Sequence, residues 1–368
     1  NTTYRRQRRQ PMIIPPYPEY KSSGERWFGD IPAHWNVERL NRLAHIQPSN
    51  VDKHTKQDEI PVRLCNYTDV YKRTFIHNGI EFMRATATQA EIDKFTLQKG
   101  DVLITKDSEV WTDIAVPAYV TEELEGVLCG YHLTHIRPYT GIVGEFIFRS
   151  FQALPIAYQF WVSAKGVTRY GIDTYSIKSS TFLLPPLEEQ AGIVRFLDGA
   201  EKQIRLYIRA KQKLIKLLNE QKQAIIQQAV THGLNPNAPM KDSGAEWLGA
   251  IPAHWELRRN GQLFLERNET GFPELPILEV SLNTGVRIRD FEGSKRKQIM
   301  RDKAKYKRAA AGDIAYNMMR MWQGAVGVAP TDGLISPAYV IARPLPDTNS
   351  YYYEYLFRTA IYKAEVNK

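Results

Sequence analysis

Cysteine is nearly absent: Cys65 and Cys129 are the only two in 368 residues. Two thiols cannot build a disulfide framework or a four-ligand zinc site, and a reducing, cytoplasmic setting suits them. No run approaches 18 consecutive apolar residues, so no membrane-spanning helix is expected. The N-terminal stretch NTTYRRQRRQPMIIPP has arginines but lacks the apolar core of a secretory signal. No G-x-x-x-x-G-K-[ST] loop occurs, so the chain is not expected to house ATP-driven translocation. Acidic residues are the minority, 40 against 49 Lys and Arg, which leaves a net charge of +9 and a pI near 9.3. That excess favours a polyanionic partner through counterion release, although an inert basic surface has the same composition.

What is present begins with a repeat. SGERWFGDIPAHW at Ser23–Trp35 returns as SGAEWLGAIPAHW at Ser243–Trp255, and 11 of the 19 pairs between Lys21–Arg39 and Lys241–Arg259 are identical. Further on, Gly100-Asp101 pairs with Gly312-Asp313, and CGYHLTHIRP pairs with ISPAYVIARP. The offset drifts as loops of different length would make it drift on one scaffold. Each copy reads as short β-branched and aromatic strands, with helical stretches at GEFIFRSFQALPIAYQFWVSAK and SYYYEYLFRTAIYKAEV. The predicted fold class is α+β, with two β-rich modules in tandem.

Between them lies a predicted long helix from Leu187 to Val230, punctuated by Pro185-Pro186 before it and by Gly233 and Pro236 after it. Steps of four and three from Ile193 reach Leu197, Ile204, Tyr207, Leu214, Leu218 and Ile225, with polar Lys211, Gln221 and Gln228 interrupting. This is a coiled-coil seam, and so long a helix with an unpaired seam requires a partner helix. The expected organisation is a basic tail over 1–19, a first module over 20–180, the spacer helix over 181–235 and a second module over 236–368.

A tandem pair of modules, each opened by S-G-x-x-W-x-G-x-I-P-x-H-W and separated by a helix opening L-P-P-L-x-E-Q, resembles the DNA-specificity subunit of type I restriction–modification systems. Ser23-Gly24, Trp27, Gly29, Ile31-Pro32, His34-Trp35, their second copies and Leu184–Gln190 carry the resemblance, as does RMWQGAVGV with SPAYVIARP. It implies two target-recognition domains, each reading half of a split asymmetric site, held apart by two antiparallel helices. It also implies a non-catalytic chain whose partners are double-stranded DNA, two copies of an adenine methyltransferase subunit and a restriction–translocase subunit. S-adenosylmethionine and ATP with Mg would then belong to those partners, with no cofactor in this chain. One departure is the second helix: 94 residues separate Pro138 from His232, so its equivalent after Pro344 would end about 70 residues beyond Lys368. A fragment, a tail beyond Lys368 or a helix supplied by a partner would each account for that.

The rival readings are a methyltransferase with degraded motifs and an assembly scaffold that reads no DNA. Against the first, no F-x-G-x-G loop follows a strand, and Ile14-Pro15-Pro16-Tyr17 imitates the catalytic tetrad without a hydrogen-bond acceptor at Ile14, so it reads as a polyproline-like linker. His132 and His135, three apart in an expected strand, face opposite sides and predict no metal site. His34 and His254 are expected to hydrogen-bond locally, and Trp27, Trp35, Trp247 and Trp255 to pack. Residues that recur should shape the scaffold, while residues that read different half-sites should differ. The candidate readers are therefore on divergent loops: Asn66, Tyr67, Tyr71, Lys72, Arg73, Lys106 and Ser108 in the first module. In the second they are Asn283, Arg287, Arg289, Lys295, Arg296, Lys297, Asn317, Arg320, Trp322 and Gln323. The run Lys295–Lys297 is expected to touch phosphate rather than bases.

Overall fold

The computed structural model describes residues 15–289 and 303–368. The chain forms two compact units, Asn1–Leu206 and Tyr207–Lys368. A single helix, Leu187–His232, runs through the division between them.

The first unit is built on a five-stranded sheet with the order Ala44–Pro48, Leu133–Pro138, Val102–Thr105, Pro117–Val120, Phe75–Ile76. All its pairings are antiparallel except the last. A four-stranded sheet lies beside it in the order Met83–Ala87, Ile60–Cys65, Leu124–Cys129, Thr96–Leu97. The predicted helical stretch divides at Gln152-Ala153 into Gly144–Phe151 and Leu154–Ser163, with Pro155 in the first turn of the second helix. Phe146, Phe148, Phe151, Ile156 and Phe160 from this hairpin join Val102, Ile104 and Ile136 of the five-stranded sheet in one core. The second core fills the four-stranded sheet and contains both cysteines, buried and unpaired. Burial raises the Cys65 and Cys129 thiols far above their ordinary range, so both are inert packing groups.

The second unit repeats the plan in its four-stranded sheet, ordered Phe264–Glu266, Tyr339–Pro344, Ile314–Asn317, Val326–Val328. These correspond to the first four strands of the five-stranded sheet, and again a helical pair follows, Ser350–Phe357 and Ala360–Val366. Gly100-Asp101 and Gly312-Asp313 make the same turn. Gly100 and Gly312 have φ of +96° and +90°, where a side chain would be strained, and their N–H groups donate to the Val120 and Ala329 carbonyls at 2.9 Å. The recurrent Asp then buries its carboxylate, accepting from the N–H of Gln98 in one unit and of Ala310 in the other.

The two units neutralise that carboxylate differently. Arg137 and His135, on one strand, hold Asp101 at 2.8 and 2.7 Å, while Arg267, just past the end of Phe264–Glu266, holds Asp313 at 2.7 Å. This places His135 wholly inside the first module. His132 precedes the strand rather than lying in it, with φ +72°, and contacts Asp107 instead. The expected single strand through CGYHLTHIRP breaks at Gly130, where the chain passes from one sheet to the other. The two histidines thus belong to different environments, and no group of metal ligands occurs among the described residues.

Candidate nucleic-acid interface

The recurrent segment is a mount. Residues Tyr20–Ser22 pair with Asp30–Pro32, and Asn36–Arg39 pairs with Thr181–Leu184, the strand that leads straight into the long helix. The first module therefore begins and ends side by side. In the first helical turn Glu189 takes three donors: the Tyr17 hydroxyl, His34 Nε2 at 2.8 Å and Trp35 Nε1 at 3.1 Å. The expectation that His34 bonds locally is corrected here. Its partner lies 155 residues away, because a carboxylate at a helix N-terminus is fixed in place by the chain's return. Burial would raise the Glu189 carboxyl, but the three donors outweigh it and hold the group below its ordinary range. Burial and the bond to Glu189 push the Tyr17 hydroxyl up to about 12. Gln190, buried at the next position, donates to the Pro185 carbonyl at 2.9 Å and accepts from Val143 N–H at 3.0 Å. These two contacts are the physical content of the E-Q pair in L-P-P-L-x-E-Q.

The second unit builds its mount from different contacts. Met240–Asp242 pairs with Ala250–Pro252 in the same register, and the Ala253 and Trp255 backbone bonds repeat those of Ala33 and Trp35. Trp255 packs edge-on against Tyr352, whose hydroxyl donates to the Val230 carbonyl at 2.8 Å. Burial pushes that hydroxyl up to about 12. Trp27 stacks under Arg26 and Trp247 meets Tyr362, so the tryptophans pack at the margins of the modules.

In the first module five of the candidate readers, Asn66, Tyr67, Tyr71, Lys72 and Arg73, lie on or cap a short helix rather than a loop, while Lys106 and Ser108 lie on the segment facing it. Asn66 caps Tyr67–Lys72, and a reciprocal bond with Asp69 closes the cap. Tyr67 and Tyr71 stack at 5.6 Å, with their hydroxyls donating to Ser108 at 3.2 Å and Asp113 at 2.8 Å. Arg73 is paired with Asp69 at 2.8 Å. Lys106 donates to the Ser49 carbonyl and lies over the exposed Tyr131 ring at 4.9 Å. Ser108 is buried, so its hydroxyl positions Tyr67 and is not itself presented. Lys72 is exposed.

In the second module Asn317 caps a 3-10 helix, Met318–Gln323, accepting from Met319 N–H. Within it Arg320 Nε bonds Gln323 at 2.9 Å and Trp322 Nε1 bonds the Met319 carbonyl at 3.1 Å. Arg287 and Arg289 flank the end of the hairpin Leu278–Ser281/Gly285–Ile288, with Arg287 paired to Glu279 at 2.6 Å. Asn283, in the turn of that hairpin, offers its carbonyl to Arg358. Lys295, Arg296 and Lys297 lie outside the described residues. The structure thus brings together Asn317, Arg320, Trp322 and Gln323 as one element and keeps the arginines on another.

The predicted seam divides. Ile193 joins the core of the first module, and Leu197 lines a cavity with Phe28 and Trp35. Ile204, Tyr207, Leu214, Leu218 and Ile225 are 45–64 % exposed. Leu206, Ile208, Ile215 and Leu217, off the seam, are exposed as well, so the bare apolar surface is wider than one coiled-coil stripe. Sequence reasoning missed Arg169, and it gave Tyr17 no part in the mount. Glu189 stood in the L-P-P-L-x-E-Q motif, but its contact with the mount was not expected.

Two related β-rich modules, joined by one long helix and each with its own polar end, define a tandem-module protein. The chain matches the type I restriction modification DNA specificity domain over residues 32–217, half its length, and belongs to that family. The family's role is specificity, not catalysis. It is 24 % identical over 234 residues to a protein assigned as the MjaX type I restriction enzyme specificity subunit of Methanocaldococcus jannaschii, covering 62 % of this chain and 52 % of that one. The chain thus spans about half the length of this curated relative. The HsdS subunit of Thermoanaerobacter tengcongensis has the same fold, with a TM-score of 0.56 at 18 % identity over 91 % of this chain and 81 % of that one. A chain from a structure on complex assembly and conformational transition of the type I R-M system gives 0.55 at 17 %, covering 92 % and 82 %. No helix among the described residues is long and apolar enough to cross a membrane.

Proposed function

We propose that this chain reads a bipartite, asymmetric duplex site, one half through each module, and that the helix Leu187–His232 sets the unread spacer between the halves. The observation that carries the reading is the repeat itself: one scaffold and one backbone mount occur twice, while the elements at the polar end of each module differ. A scaffold that bound the same ligand twice would repeat its loops too. The readers are drawn from Asn66, Tyr67, Tyr71, Lys72, Arg73 and Lys106 in one module, and from Asn283, Arg287, Arg289, Asn317, Arg320, Trp322 and Gln323 in the other. Lys295, Arg296 and Lys297 would neutralise phosphate.

The bare apolar surface between Ile204 and Ile225 supports pairing with a second helix and docking of the modification subunits, in two copies, along this region. His254 Nε2 and Trp255 Nε1 point the same way, since neither has a hydrogen-bond partner among the described residues, whereas His34 and Trp35 both hold Glu189. The chain would direct an adenine methyltransferase and a restriction–translocase subunit to the site. S-adenosylmethionine and ATP with Mg would be bound by those subunits. Binding of bipartite duplexes by the reconstituted complex, measured against salt and sequence, tests this: selective, salt-dependent binding is expected. Binding with no sequence preference would favour a scaffold, and tight S-adenosylmethionine binding by the isolated chain would favour an enzyme.

A further inference from the structure

We propose that Arg169 reads a guanine in the half-site of the first module. This rests on the reading above that the module binds duplex DNA. The residue sits on the exposed hairpin 165–171, whose base is closed by Lys165 N–H to the Gly171 carbonyl at 2.9 Å and the reverse bond at 2.8 Å. Gly166, at φ +140°, faces the Arg169 carbonyl so closely that a Cβ would lie 2.0 Å from it, so the turn closes only on glycine.

The Arg169 side chain is 56 % exposed and yet held. Its Nε and Nη2 donate to Asp107 Oδ1 at 3.0 and 2.5 Å. Nη2 also lies 3.2 and 3.4 Å from the two ring nitrogens of His132. The other Asp107 oxygen is 2.7 Å from His132 Nδ1, and His132 occupies the left-handed region that non-glycine residues avoid. One edge of the fork is therefore occupied. Nη1 has no partner among the described residues and the side chain is exposed, so Nη1, with the Nη2 donor now spent on the long His132 contacts, forms the planar pair open to a ligand.

Two parallel donors at that spacing match O6 and N7 of guanine in the major groove. A phosphate contact would need only charge, and Asp107 behind the fork offsets much of that charge. What the arrangement retains is geometry, with the rotamer freedom of the side chain already spent before binding. Its neighbours fit the role. Asp107-Ser108 pairs with Tyr170-Gly171, and Ser108 receives the Tyr67 hydroxyl, so the strand that holds Arg169 also holds one of the stacked tyrosines.

The test is methylation-site mapping with the complete complex carrying wild-type, Arg169→Ala, Arg169→Lys or Asp107→Asn specificity chain, alongside thermal melting of each. The wild type should show guanine at a fixed position in one half-site. Arg169→Ala and Arg169→Lys should accept other bases there, with discrimination falling about 10–100-fold and the other half-site intact. Asp107→Asn should relax the same position partly. An unchanged motif in both Arg169 variants overturns the proposal, whether or not melting shifts. A uniform loss across all sequences with a shallower salt slope also overturns it, making Arg169 a phosphate contact. A wild-type complex with no two-part motif removes the DNA reading as well, which separates the two failures.

Discussion

Glu189 is the residue on which the first mount converges, since it joins the entry segment, the chain before it and the spacer helix. Replacing it with Ala strips three donors of their acceptor and should cost about 1–3 kcal/mol in urea unfolding; no change would show the mount to be redundant. Asp101 is more deeply committed, with its side chain 2 % exposed. Burial alone would raise its carboxyl, but bonds from Arg137 and His135 outweigh that and hold it below the ordinary range. A carboxyl depressed by folding stabilises above its unfolded value, and that stability is lost as pH falls through the folded value. The first unit should therefore lose stability on acidification into and below the ordinary carboxylate range, by an amount that Asp101→Asn abolishes. That substitution should itself cost about 1–3 kcal/mol at neutral pH, because it takes the carboxylate away from the donors of Arg137 and His135. A pH profile identical in wild type and Asp101→Asn would contradict the assignment.

At the scale of elements, the long helix, the helical stretch of each module and central strands such as Ile60–Cys65, Val102–Thr105 and Pro117–Val120 were legible because their signals are local: proline and glycine punctuation, heptad steps, and β-branched runs between turns. What was not legible depends on distance along the chain. The break at Gly130 is set by the passage between two sheets, and the placing of His34 by a carboxylate that arrives 155 residues later. The seam was half legible: periodicity found its positions, but Ile193 and Leu197 turn to their own module's core, a choice made by neighbouring Phe28 and Trp35. The reader positions were the least legible, since Ser108 and Asn317 serve as supports as readily as contacts. Leu214→Asp with Leu218→Asp removes exposed apolar side chains, so the isolated chain should change by no more than about 0.5 kcal/mol. Assembly with the modification subunits, followed by size-exclusion chromatography, should fail. Assembly at wild-type strength would show that this surface carries no partner.

For the whole molecule, the account is of one scaffold used twice, with information confined to what differs. The helix contributes about 1.5 Å per residue, so deleting seven residues between Ile204 and Lys216 removes about 10 Å while keeping the seam nearly in phase. At about 3.4 Å per base pair, the recognised spacer should shorten by about three pairs. Exchanging Lys241–Lys368 for the corresponding module of another family member should change one half-site and leave the other. The central claim is tested most directly by mapping adenine methylation across the genome of cells carrying the complete complex. The account predicts one motif of two specified halves separated by a gap of fixed length and free sequence. A single contiguous motif, or two halves at variable separation, would contradict it.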